Sequence, residues 1–229
     1  RKSLYKDPAT PCDSHFDVSS LPDGAYDFRV QVEDTAGRRS ENVLEDVVLD
    51  RKPPAVELQV SAPDGEGGWY VSQPSFGPAL AATDSGSGVK ASYWRAGGAS
   101  AWALYAKPFA LAEGEHVISY YAEDRAGNAS AVKEFRYRAD FSDPEGKISS
   151  PSPGGYFQKS LAAEVSCADA ISGVASITWL IDGAPLRTGP ERAVALDLSR
   201  LADGEHVLAA EIKDGAGRKR LTEPVPFFK

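Results

Sequence analysis

The sequence predicts an all-β protein made of tandem β-sandwich modules, and a repeat and a residue pattern carry this prediction. Turn glycines Gly24, Gly114 and Gly204 are spaced 90 residues apart in a chain of 229 residues, as are Asp34, Asp124 and Asp214, each assigned to the hairpin turn that follows. After each glycine, apolar and polar residues tend to alternate with the period of two that is typical of a half-buried strand. No stretch of the two later repeats shows convincing helical periodicity. We therefore expect one module, of a size that can bury its own core, to recur along the chain.

Repeat one, residues 1–52, is predicted to be the C-terminal half of a module. A strand over Tyr26–Val32 enters a turn at Asp34–Gly37, and Val43–Leu49 returns as the last strand. The other two repeats place roughly 60 residues before the same turn glycine, so the early strands of repeat one are missing. A half sandwich exposes an open edge and an uncovered apolar face, so we expect the missing strands to lie upstream or to come from a strand-donating partner.

Repeats two and three, residues 53–140 and 141–229, are predicted to be complete sandwiches of about seven strands. Prolines in Asp50–Ala55 indicate a short, stiff joint before repeat two. Trp94 and Trp179 follow matching Ser-Gly-Val loops and are predicted to be core tryptophans. The strands predicted in repeat two are Val56–Val60, Ala79–Thr83, Ala91–Ala96, Ala101–Leu104, Phe109–Leu111, the strand after Gly114, and Ala131–Tyr137.

Composition excludes several classes of protein. A net charge of −8 and a pI near 5.0 argue against a nucleic-acid-binding surface, which needs clustered basic residues. No apolar run is long enough to span a membrane. The chain opens without Met, which is typical of a piece processed from a longer protein. Its two cysteines, Cys12 and Cys167, lie in different repeats and are expected to be unpaired within this fragment.

Repeat two resembles the OmpL47-type family of bacterial immunoglobulin-like modules, and repeat three resembles it more loosely. The resemblance rests on Trp69-Tyr70, Ala82–Val89, Tyr93–Gly98, Pro108-Phe109, Glu113–His116 and Asp124–Asn128. Repeat one resembles the tail half of an immunoglobulin-like repeat of large secreted bacterial proteins. The resemblance implies tandem immunoglobulin-like β-sandwiches that serve as spacers, adhesive stalks or enzyme accessories, and an upstream cysteine partner for Cys12.

The sequence predicts no catalytic residues. His116 and His206 occupy the place of Tyr26, two residues after the turn glycine, where a polar-tipped ring reaches back to the backbone in a tyrosine corner. His15 is predicted to be an isolated histidine on an edge. No nucleophile elbow and no phosphate-binding loop occurs, and neighbouring acids such as Glu123 and Asp124 face opposite sides of a strand.

Calcium is the alternative to a protein without cofactors. Asp50, Asp140 and Asp143 lie at module junctions, and Asp84 and Asp169 lie in loops, where oxygen ligands can converge. Aspartate before glycine or proline is also ordinary turn chemistry, and no Asp-x-Asp-x-Asp run is present. We therefore predict no metal, with Asp50, Asp140 and Asp143 as the ligands if calcium binds.

Aromatic residues at the turns or edge of repeat two are the candidate ligand-binding residues. They are Trp69, Tyr70, Trp102 and Tyr105. Such rings can stack on sugars, but they can also close the ends of a sandwich, and the second interpretation is favoured.

The sequence as a whole favours a non-enzymatic stalk or spacer of a bacterial secreted or cell-surface protein. Its partners are expected to be neighbouring domains of the same polypeptide, with a surface protein or polysaccharide as a further partner and without nucleic acid. An adhesin-type binding module and accessory domains of a larger secreted enzyme remain as alternatives. An extracellular or cell-surface location is expected, with the periplasm as an alternative.

Overall fold

A computed structural model of the chain describes residues 17–73 and 77–229. In these ranges the chain forms β-strands and one turn of 3₁₀-helix at Glu66–Gly68, which confirms the all-β prediction. Cys12 and His15 lie outside the described residues. The described part of the chain contains no helix with the length and apolar character that a membrane crossing requires.

Repeat one forms a two-stranded antiparallel hairpin from β1 (Gly24–Glu33) and β2 (Arg39–Leu49). Only the beginning of β1 has the half-buried face that the alternation predicts, at Tyr26 and Phe28. The prediction is wrong for the rest of the strand, because no second sheet covers the hairpin among the described residues. The exposed apolar side chains are Val30, Val32, Leu44 and Val48, at 50%, 54%, 63% and 45% exposure.

Repeat two contains six described strands. In the first pair, β3 (Ala55–Gln59) lies beside β4 (Ala79–Thr83). A four-stranded sheet has the order β6-β5-β7-β8, with β5 (Val89–Ala96), β6 (Ala103–Leu104), β7 (Gly114–Asp124) and β8 (Lys133–Ala139).

The predicted strand at Phe109–Leu111 is absent, although both of its ends are held in place. The Phe109 N–H donates to the Pro78 carbonyl at 3.0 Å, and the segment makes no strand ladder. Leu111 is 3% exposed and packs with Tyr70 and Ala139 in a small core. Leu111 is therefore buried in an irregular segment. In a sequence, a short apolar run alone does not tell such a segment from a buried strand.

Repeat three folds into two packed sheets. One sheet has the order β14-β11-β9, and the other has the order β10-β17-β15-β12-β13 with β16 also pairing with β15. The strands are β9 (Glu145–Ser150), β10 (Gly155–Tyr156), β11 (Ser160–Ala168), β12 (Val174–Ile181), β13 (Ala184–Gly189), β14 (Ala193–Asp197), β15 (Glu205–Asp214), β16 (Lys219–Leu221) and β17 (Val225–Phe228).

The core of repeat three comes from the alternating inward residues of both sheets. In β11, four inward residues are buried and the five between them are exposed. Trp179 on β12 is 1% exposed at the centre of this core, as the sequence predicts. The chain crosses between the two sheets from β11 to β12, from β13 back to β14, and from β14 to β15, and such crossing between two sheets is typical of an immunoglobulin-like sandwich. The structure thus confirms immunoglobulin-like β-sandwiches as the fold class.

Contacts between Cα atoms divide the chain into two compact units. One consists of Arg1–Ala55, Ala82–Ala91 and Ala122–Ser130, and the other of Val56–Ala81, Ser92–Tyr121 and Ala131–Lys229. The module boundaries after residues 52 and 140 remain a prediction.

Candidate functional site: two aspartate clusters

The aspartate that begins each β-hairpin turn shapes that turn with its own carboxylate. Asp34 Oδ1 accepts from the backbone N–H groups of the residues two and four positions later, at 2.9 Å each, and Asp214 Oδ1 does the same. The glycines three positions after Asp34, Asp124 and Asp214 all adopt positive φ, between 78° and 93°. The 90-residue recurrence of aspartate and glycine is therefore a requirement of the turn.

A second repeated aspartate organises the Ser-Gly loop before β5 and β12. Asp84 Oδ2 accepts from the N–H groups of Gly86 and Gly88, at 3.1 and 2.7 Å. Asp169 Oδ1 accepts from three consecutive N–H groups, of which that of Gly173 is nearest at 2.7 Å. Each loop is thus wound around one carboxylate oxygen.

A third aspartate, at the end of the preceding repeat, also contacts each Ser-Gly loop. Asp50 Oδ2 accepts from the Ser87 N–H at 2.7 Å. Asp140 Oδ2 accepts from the Ser172 N–H, the matching position of the next repeat, at 3.2 Å. Both aspartates therefore bond to the Ser-Gly loop of the repeat that follows.

These three positions create two clusters of carboxylates. The first cluster is Asp50, Asp84 and Asp124, and the second cluster is Asp140, Asp169 and Asp214; in each, one oxygen from every residue lies within 4.8 Å of the others. The structure thus brings Asp50 and Asp140 into separate clusters, each with its predicted loop aspartate. Asp143 is in neither and forms an ion pair with Arg218 at 2.6 Å.

Asp124 and Asp214 are the members that the sequence interpretation missed. Each was assigned to its hairpin turn alone, which fully accounts for one of its carboxylate oxygens. The signal that could have found them is the spacing, because Asp50 and Asp140 are 90 residues apart, as are Asp124 and Asp214. The absence of a metal from both clusters stays a prediction.

The two clusters differ in the residue that follows the hairpin glycine, which is asparagine beside the first cluster and arginine beside the second. In the first cluster, Asn128 Nδ2 donates to Asp124 Oδ2 at 2.7 Å and to the Asp50 carbonyl at 3.0 Å. The matching residue of the next repeat is Arg218, which bonds instead to Asp143 and to the Val71 carbonyl. Asp214 Oδ2 is consequently left buried with no hydrogen-bond partner among the described residues.

The two clusters also differ electrostatically. Burial raises the pKa of the Asp214 carboxyl, and the charges of Asp140 and Asp169 add to this effect, against backbone hydrogen bonds that lower it. In the first cluster, the hydrogen bond from the Ser87 N–H is the main cause of a lowered pKa for Asp50. The negative charge is thus well solvated by the protein at Asp50 and poorly solvated at Asp214.

The corner positions confirm the structural role predicted for the histidines. The Tyr26 hydroxyl donates to the Pro22 carbonyl at 2.7 Å. His116 Nε2 lies 2.7 Å from the Glu113 carbonyl, and His206 Nε2 lies 2.9 Å from the Ala202 carbonyl. His206 Nδ1 also contacts Asp182 Oδ2 at 2.6 Å.

The four candidate aromatic residues do not form one exposed platform. Trp69 and Tyr70 are 7% and 4% exposed, and the Tyr70 hydroxyl donates to the Ser61 carbonyl. Trp102 and Tyr105 are half-buried, and the Arg95 guanidinium lies 4.5 Å from the Trp102 ring centroid. The burial of Trp69 and Tyr70 favours their role as caps, and ligand binding by Trp102 and Tyr105 remains a prediction.

No protein-family model matches the chain, and a search of curated proteins found no match. Among solved structures, the fibronectin(III)-like modules of CbhA from Clostridium thermocellum are 17% identical, with 76% of this chain and 93% of that chain covered and a TM-score of 0.39. The D00-D0 domain of intimin is 12% identical, with 76% and 100% covered and a TM-score of 0.36. SGBP-B of the Bacteroides ovatus mixed-linkage glucan utilization locus is 15% identical, with 91% and 55% covered and a TM-score of 0.23. No family assignment follows from similarities of this size.

Proposed function

We propose that the chain is a non-catalytic spacer in a bacterial secreted or cell-surface protein, built from OmpL47-type modules and connecting neighbouring domains. The observation that carries the proposal is the bonding of each junction aspartate to the Ser-Gly loop of the next repeat. A flexible tether has no need of such bonds, whereas a spacer that holds its neighbours apart does. Tandem modules with cores of their own suit this role.

The first junction supports the proposal through both backbone and side chains. Pro54 is buried, and its ring fixes the backbone angle φ within the linker. Asp50 receives the Ser87 N–H on its carboxylate and the Asn128 amide on its carbonyl. The linker is therefore bonded to two loops of repeat two.

The second junction supports the spacer proposal through several contacts between repeats two and three. The Glu66 N–H donates to the Ala216 carbonyl at 2.8 Å, and Lys213 forms an ion pair with the Glu66 carboxylate. Arg218 Nη1 donates to the Val71 carbonyl at 2.8 Å. A loop of repeat two thus rests on the last hairpin turn of repeat three, where Ala216 is 1% exposed.

Spin-label distance measurements on the full chain test the spacer proposal. Labels at Lys107→Cys and Leu186→Cys, both exposed positions, report on repeats two and three when Cys12 is replaced by serine. We expect one narrow distance distribution. Arg218→Ala should broaden it, because the bonds to Val71 and Asp143 are lost.

The exposed Arg220 provides the matched control, and Arg220→Ala should leave the distribution narrow. A broad distribution in the unsubstituted chain would show a flexible tether and contradict the proposal.

A binding module is the second candidate function, favoured by the half-buried Trp102 with Arg95 stacked over it. A glycan array with the full chain and Trp102→Ala separates this role from a spacer. Binding that the substitution removes would support it, whereas silence of the unsubstituted chain would contradict it.

A further inference from the structure

We propose that the second cluster, Asp140, Asp169 and Asp214, binds one calcium ion, and that the first cluster uses the Asn128 amide in place of a cation. This assignment does not depend on the spacer role.

The geometry of the second cluster suits a single cation. One oxygen from each of the three carboxylates lies within 4.8 Å of the others. Calcium–oxygen distances of about 2.3–2.6 Å place ligands of one ion up to about 5 Å apart. Asp140 and Asp214 are both 0% exposed, so water cannot disperse their charges as it does at a surface.

The unpaired oxygen of Asp214 points to a missing ligand. Buried carboxylate oxygens in native proteins normally accept hydrogen bonds or coordinate a metal. Asp214 Oδ1 accepts from the N–H groups of Ala216 and Arg218, whereas Oδ2 has no partner among the described residues. This unpaired oxygen belongs to the carboxylate that lies close to those of Asp140 and Asp169.

The first cluster shows how the protein satisfies the same position without an ion. There the Asn128 side-chain amide donates to Asp124 Oδ2. Arg218 replaces this asparagine in the second cluster, and its guanidinium pairs with Asp143. The second cluster thus keeps three carboxylates and loses the donor that the first cluster provides.

The ligand set favours calcium over transition metals. All three side chains offer hard carboxylate oxygens, and neither cluster includes histidine or cysteine. One oxygen of Asp169 is held by three backbone N–H groups, and one oxygen of Asp214 by two. The carboxylates are therefore oriented by their own loops before any ion binds. Calcium accepts the variable coordination number that three such ligands with water and carbonyl oxygens would supply.

Isothermal titration of calcium chloride into the EDTA-treated full chain tests the proposal. We expect one ion per chain, with a dissociation constant on the order of the 10⁻⁴–10⁻³ M that is typical of extracellular modules. Asp214→Asn and Asp169→Asn should each abolish binding. The matched substitution Asp124→Asn, in the first cluster, should leave the stoichiometry at one.

Thermal melting gives a second readout that does not depend on the heat of binding. Calcium should raise the melting temperature of the unsubstituted chain and of Asp124→Asn, because a ligand of the folded state stabilises it. The two second-cluster variants should not respond. If Asp214→Asn fails to fold by near-ultraviolet circular dichroism, Asp169→Asn decides the result.

Arg218→Asn tests whether an asparagine amide can take the place of the cation in the second cluster. It places in the second cluster the residue found in the first, and calcium affinity should fall at least tenfold. An unchanged affinity would overturn the amide explanation.

Four results would overturn the calcium site itself. They are neither heat nor a melting shift with the unsubstituted chain, binding retained in both second-cluster variants, a second ion lost on Asp124→Asn, and equal affinity for magnesium.

Discussion

His206 shows how a corner position acquires a charge-dependent contact. Tyr26 makes its corner with a single hydroxyl, whereas His206 uses both ring nitrogens, one on the Ala202 carbonyl and one on Asp182. The hydrogen bond to Asp182 is the main reason that the pKa of His206 is raised, and burial of the ring and the charge of Lys229 oppose the shift. The positively charged ring is therefore favoured in the folded state.

Stability at His206 should depend on pH. A raised histidine pKa contributes stability that is complete below the unfolded value of about 6.5 and is lost as pH rises through the folded pKa. His206→Tyr retains a corner ring without this titration. Urea unfolding at pH 5 to 8 should show the unsubstituted chain gaining about 0.5 kcal/mol relative to the variant at the acid end, as partly exposed pairs do.

Asp182→Asn serves as the control for the His206 effect, because it should flatten the pH dependence without removing the ring. A difference between the unsubstituted chain and His206→Tyr that stays constant from pH 5 to 8 would contradict the prediction.

Single residues were predicted best where their surroundings are local. The corner contacts follow from a ring placed two residues after a turn glycine, and the structure confirms them. Trp179 is buried as predicted, but Trp94 at the same offset is only half-buried and packs on Phe109. The two tryptophans lie at the same offset from their Ser-Gly-Val loops and differ in the core around them, which the offset does not encode.

At the scale of strands, a small residue in repeat three makes room for a large one on a neighbouring strand. Gly146 on β9 leaves space that Ile212 on β15 fills, since a Cβ at Gly146 would lie 2.1 Å from Ile212 Cδ1. At the positions 90 residues earlier the chain carries Val56 and Ala122, which are also buried. In the sequence, the large residue therefore comes first in repeat two and second in repeat three.

Gly146→Ala should therefore destabilise repeat three by overpacking. The expected loss in the free energy of unfolding is about 1–3 kcal/mol, the usual cost of an added methyl group in a filled core. Ile212→Val removes the Cδ1 atom that the new methyl group meets. In that background the added cost of Gly146→Ala should fall to less than half, as a double-mutant cycle measured by urea unfolding would show. Additive costs would contradict this account.

The positions of the strands were largely predictable from the sequence, but the segments that cover their faces were less so. The prediction placed Ala79–Thr83 on β4 with the same bounds, because a strand's pattern lies within its own residues. The alternation alone did not predict the exposed faces of Val30 and Val32, which the half module does imply, since what covers a strand depends on other segments. For the same reason Asp124 and Asp214 were assigned to their turns and not to the carboxylate clusters.

At the scale of the molecule, the 90-residue repeat makes each hairpin turn comparable with the next. Gly37, Gly127 and Gly217 close equivalent turns, but their surroundings differ. A Cβ at Gly37 or Gly127 would meet nothing within 4 Å, whereas at Gly217 it would lie 2.8 Å from Glu66 Cγ. Of these three glycines, only Gly217 has a described side chain of the preceding repeat against it.

The three glycine-to-alanine substitutions should therefore have unequal effects. Gly37→Ala and Gly127→Ala should each cost about 1–2 kcal/mol, because alanine resists positive φ. Gly217→Ala carries that strain and also pushes against Glu66, so its cost in urea unfolding should be larger. Glu66→Ala removes Cγ and Cδ, and in that background the excess cost of Gly217→Ala should largely disappear. Equal costs at all three turns would mean that the loop carrying Glu66 yields freely, and the second junction would then contribute little to the stiffness of the chain.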